Sequence, residues 1–124
     1  TQITAEQTRD AFRAYFLFCV EHPDFMKIGE WIRITEGTSA DWGGEAEIMS
    51  RLAAFAKRAQ TLGYLRDDIP TFDLMMVFSG AVKSWIFDGQ HFLNVSGGNS
   101  TRQDKDSAFF ESAFTAVSSP LVQS

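Results

Sequence analysis

Thr71-Phe72-Asp73-Leu74-Met75-Met76-Val77-Phe78-Ser79-Gly80-Ala81-Val82-Lys83-Ser84-Trp85-Ile86-Phe87 is the stretch whose reading decides the fold. Wound as a helix, it puts Leu74, Met75, Phe78, Val82 and Trp85 on one stripe and Met76, Gly80 and Phe87 on a second, about 180° away. A helix with two apolar faces needs two partners. Its own chain covers the first. The second, left in water, would cost solubility, and pairing it with the last helix and a symmetry mate is the expected solution, because association about a twofold axis is the commonest way soluble proteins cover such a face.

Outward from this helix the chain keeps reading as helices. Thr71 and Asp73 offer helix-starting side chains, and residues 64–70 form a short extended link ahead of them. Before the link, Ile48, Leu52, Phe55, Ala56 and Ala59 recur at helical spacing over residues 45–62, with Gly63 placed as the stop. At the amino end Thr4 and Gln7 match a capping box, opening a helix over residues 4–21. On it Phe12, Phe16, Cys19 and Val20 share one face and Ala11, Ala14 and Phe18 lie opposite, so its second half is expected to be buried between neighbours. His22-Pro23 breaks that helix, and Pro23 begins another that fades at Gly37. A turn over residues 94–103 leads to a last helix over residues 104–118. No strand pattern and no repeat stands out, so the fold class is all-α, a bundle of about five to six helices.

The 124 residues suit one domain, residues 1–124, with a core large enough to need no metal or disulfide. Twelve Phe make that core bulky and aromatic. The formal charge is −5 and the Lys and Arg residues are scattered, which argues against a nucleic-acid grip by this part of the chain. A single cysteine, Cys19, excludes an internal disulfide and a Cys-rich zinc site and points to a reducing compartment. No apolar run is long enough for a membrane span and no signal-peptide layout is present, so the expected location is cytoplasmic. Thr1 to Gln7 reads as the approach to a helix, which suggests that native residues precede it.

Catalytic chemistry finds little support. His22 and His91, the only histidines, each lie at a helix end without a nucleophile or a second base at motif spacing; a local cap or an exposed ring is the plainer reading. Glu21, Asp24, Glu30 and Glu36 spread over different sides of two helices. Glu45 and Glu47 suit a helix start, and Asp67-Asp68 sits in a link. The Gly-rich residues 37–44 and 96–100 lack the context of a phosphate loop and read as turns. Cys19 on an apolar face is a small hydrophobe. No catalytic residue, metal ligand or cofactor is assigned. What remains is a population of large rings and polarisable methionines. Phe12, Phe16, Cys19, Met26 and Trp31 from the first two helices could line an adaptable pocket for a hydrophobic small molecule, together with Met49, Phe55, Met75, Phe78 and Trp85 from the next two. Plain core packing competes for each of them.

Two local signatures, Glu21-His22-Pro23-Asp24-Phe25 and Gly63-Tyr64-Leu65-Arg66-Asp67-Asp68-Ile69-Pro70 followed by Thr71-Phe72-Asp73, together with the helix order, resemble the carboxy-terminal domain of TetR-family transcriptional regulators. The first is similar to the family's junction between two long helices of the ligand domain, and the second to its link into the interface helix. The resemblance implies a homodimer whose last two helices form a four-helix bundle with those of the partner, with Met76, Gly80, Phe87, Phe109, Phe110 and Phe114 at the interface. It also implies a small hydrophobic effector among the earlier helices. DNA would be reached only through an amino-terminal helix-turn-helix domain that this sequence does not contain. A small helical enzyme or binding protein acting on a hydrophobic substrate is the rival expectation, and a tightly packed structural adaptor the third.

Overall fold

The computed structural model describes residues 2–37, 45–96 and 101–119. Five helices occupy them in the order α1 (Ala5–Glu21), α2 (Pro23–Glu36), α3 (Glu45–Thr61), α4 (Thr71–Ser96) and α5 (Arg102–Val117). The two Gly-rich stretches read as turns fall almost wholly outside the described residues, which resume at Glu45 and Thr101.

The helix ends follow from local chemistry. Thr4 Oγ1 accepts from the Gln7 amide at 3.0 Å while Gln7 Oε1 accepts from the Thr4 amide at 2.9 Å, closing the capping box; such a cap is worth about 1 kcal/mol. Pro23 opens α2 at the position where a missing amide proton costs nothing. Gly63, at φ 81°, ends α3, with the Tyr64 amide reaching back to the Ala59 carbonyl and the Gly63 amide to Gln60. Two expected boundaries move. Thr101 Oγ1 accepts from the Asp104 amide at 3.1 Å, so α5 starts at Arg102, ahead of Asp104. Thr71 opens α4 as expected, with its hydroxyl donating to Gln60 Oε1 at 2.5 Å, and it is the far end of α4 that moves, running on to Ser96 into residues read as a turn.

Helix α4 is central, packed between α3 and α5 and crossing α1, while α2 rests mainly on α1. Phe16, Leu74, Phe78, Val82, Phe110 and Phe114 form the heart of the core. Phe12 meets Phe78 edge to face at 4.8 Å, and Phe110 stacks on Phe114 at 5.8 Å; pairs like these add roughly 1 kcal/mol beyond their buried area. Arg9 roofs this cluster, 5.4 Å from the Phe110 ring, and pairs with Glu111.

One expected feature of α1 is corrected here. It is buried on one face only, because Ala11, Ala14 and Phe18 are exposed. Phe18 instead makes edge contacts with His22 and Phe25 on the outside.

The seam between α4 and α5 is held by polar groups as well as rings. Trp85 lies flat against Phe109 at 4.7 Å and donates from Nε1 to Asp106 Oδ1 at 2.6 Å. Arg102 bonds the same carboxylate at 3.1 Å and covers the Trp85 ring. Gly89 lets the indole approach, since a Cβ there would sit 3.0 Å from Trp85 Cδ2. The link after α3 is fastened too: the buried Gln60 amide donates to the Arg66 and Ile69 carbonyls at 3.0 and 3.1 Å. Arg66 in turn bonds the Val117 carbonyl, beside a bridge between Leu65 and Ser118.

Candidate functional site

An apolar pocket lies between α1, α3 and α4. From α1 come Ala11, Phe12 and Tyr15, one stripe at spacings of one and three residues. Helix α3 contributes Met49, Leu52, Phe55 and Ala56, and α4 contributes Met75, Phe78 and Ser79. The free volume is about 70 Å³. Two of its walls differ in firmness. Phe12 and Phe78 are locked into the aromatic cluster of the core, whereas Met49 and Leu52 are each more than a third exposed and, with Ala11, form the rim.

Among the described residues no charged side chain lines this pocket. Of its two hydroxyl residues, Tyr15 is hydrogen-bonded to Cys19 one turn along α1. Cys19 itself is fully buried, and that burial pushes its thiol up from the ordinary value, with the bond to Tyr15 opposing the shift. A thiol so placed is protonated and inert.

The structure brings Phe12, Met49, Phe55, Met75 and Phe78 together around this pocket, and places the other five residues assigned from sequence elsewhere. Phe16 and Cys19 belong to the core. Met26 is half-buried against the core, away from the pocket, and Trp31 stands on the outer face of α2 at 65% exposure beside the exposed Ile28 and Ile34. Trp85 is held in the α4–α5 seam. All five are aromatic, sulfur-bearing or apolar, and residue type does not say which neighbour a face meets. Tyr15 and Leu52 were missed, although both carry the helical spacing of residues that were found.

On the second face of α4, Met76 is 69% and Phe87 42% exposed in the single chain, with Gly80 also exposed between them. Phe110 and Phe114 are a correction: at 2% and 7% exposure they sit inside the chain's own core, turned toward α1, and present nothing to a partner. Phe109 is half-buried with one ring face against Trp85.

Among the described residues neither histidine has catalytic company. His22 is exposed with its ring edge-on to Phe18 and makes no side-chain cap, and His91 is exposed beside Phe92. Glu30 instead joins helices: it accepts from Lys83 Nζ at 2.6 Å and from Arg33 at 3.0 Å, and the bond from Lys83 holds its carboxyl below the usual range. Among the described residues no cluster of His, Cys, Asp and Glu could hold a metal ion, and no helix is long and apolar enough to cross a membrane.

An all-α bundle with an apolar pocket walled by three helices can hold a small molecule between them. The family described as Tetracyclin repressor-like, C-terminal domain, matches residues 11–113, and the chain belongs to it. This is a family of regulatory ligand-binding domains. No curated protein and no solved structure matches the chain closely enough to add to this assignment.

Proposed function

We propose that this chain is the effector-sensing, homodimerising part of a cytoplasmic TetR-like repressor that responds to a small hydrophobic molecule and reaches DNA through a separate amino-terminal helix-turn-helix domain. The observation that carries the reading is the apolar pocket between α1, α3 and α4, in a chain of this family. A ligand there acts only if it binds the DNA-competent and DNA-free shapes with different affinity. Walls drawn from three helices support the reading, because the spacing of those helices sets the pocket's volume.

Dimerisation is proposed on Met76, Gly80 and Phe87. Exposed apolar side chains sharing a helix face with a small residue suit close packing against a second copy. Light scattering after gel filtration is expected to give twice the chain mass for the native protein and the single mass for Phe87→Glu. A native protein that stays monomeric at high micromolar concentration would sink the dimer.

A further inference from the structure

Whatever enters the pocket leaves water for walls that, among the described residues, carry no charge. Two consequences follow from its lining. An ionised ligand would lose its hydration and meet no counter-charge, a penalty that hydrophobic contact around a single ring does not offset. A ligand with many hydrogen-bonding groups fares little better, because the described walls offer only two hydroxyl residues, Tyr15, which already acts on Cys19, and Ser79.

Size adds a second condition. A cavity of about 150 Å³ is known to hold benzene, and this one offers about 70 Å³. A single ring therefore fits only when part of the wall yields. Phe12 and Phe78 are tied into the core by their edge-to-face contact at 4.8 Å, so the yielding side is α3, where Met49 and Leu52 are the part-exposed rim. Methionine is unbranched and suits a wall that must re-form around its contents.

We propose that the pocket selects uncharged, hydrogen-bond-poor ring compounds, admits them by displacing Met49 and Leu52, and rejects the anionic and cationic forms of the same ring. The proposal rests on the reading of this pocket as the effector site. It divides ring compounds of equal shape by charge alone.

The four methionines supply the test. Met49 and Met75 line the pocket, while Met26 and Met76 lie outside it, so their methyl resonances report the site and its controls in one spectrum. Toluene, benzoate and benzylammonium carry the same ring with three charges. Toluene is expected to shift the Met49 and Met75 signals and leave the other two in place, with both ions weaker by on the order of a hundredfold. Met49→Lys, which sets a cation at the rim, is expected to bring benzoate into range as read at Met75 while benzylammonium stays out. Either ion moving Met49 and Met75 of the native protein within about tenfold of the toluene concentration would overturn the charge selectivity and leave the pocket reading standing. So would a Met49→Lys protein that binds toluene and gains nothing for benzoate. If none of the three compounds moves Met49 or Met75, the pocket reading and the selectivity fall together.

Discussion

Helix α4 meets its two flanking neighbours in opposite ways. Toward α5 it is fastened: Trp85 is stacked on Phe109, bonded to Asp106 and covered by Arg102, over a glycine that lets it come close. Toward α3, beyond the Thr71–Gln60 bond at its foot, it presents a mainly apolar wall around a void, with Met75 and Ser79 facing Met49 and Leu52. A polar fastening allows one register, because shifting it strands a part-buried carboxylate or indole. Greasy walls allow many spacings at similar energy. The difference teaches where this molecule keeps its geometry constant and where it has room to change.

The sharpest way to break the comparison is Trp85→Ala. Losing the indole and its bond is expected to lower unfolding stability by about 3 kcal/mol, read from denaturant midpoints; a loss under about 1 kcal/mol would mean the seam is no firmer than the pocket side. The glycines of α4 come next. At Gly89 a methyl would press on an indole that cannot retreat, so Gly89→Ala is expected to cost about 1 kcal/mol net after its gain in helix propensity. At Gly80 a Cβ meets nothing within 4 Å. Gly80→Ala is therefore expected to stabilise by about 0.5–1 kcal/mol in the Phe87→Glu background, where association does not enter. Equal signs at the two sites would contradict the packing described.

Smaller effects test the soft side. Leu52→Ala, at a part-exposed rim position, is expected to cost about 1 kcal/mol or less, and a loss matching that of Trp85→Ala would show that the rim is part of the core. The smallest expected effect concerns the polar tie that α4 makes to α2. Glu30 has a depressed pKa, chiefly through the bond from Lys83, so its contribution is present above the ordinary value of 4.5 and is lost as pH falls through the lower, folded value. The stability gap between the native protein and Glu30→Gln should hold steady near neutral pH and close in acid; a gap that widens in acid would refute the assignment.

Much of this architecture could be read from residue order. Helical phase located the core stripe Leu74, Phe78 and Val82, the capping box placed the start of α1, and Gly63 the end of α3. Pairing is what a single sequence withholds. Phe110 and Phe114 carry the same apolar signal whether they face α1 or a second subunit, and only the cluster of Phe12, Phe16 and Arg9 packed against them decides it. Trp85 likewise looked like a pocket wall until Asp106 and Arg102, far along the chain, were seen to claim it. Thr71 opens α4 as its residue type suggests, but the partner of its hydroxyl, Gln60, lies eleven residues away across a link, where no spacing rule points.

The bonding of Gln60 also bears on how α3 can move. Its one amide grips the Arg66 and Ile69 carbonyls and receives Thr71, which clamps the carboxy-terminal end of α3 to the foot of α4. A rod clamped at one end has no freedom to slide and can only tilt. The clamp acts as a fulcrum, and displacement grows toward the far tip at Glu45, about one turn beyond Met49 and two beyond Leu52 on the pocket rim.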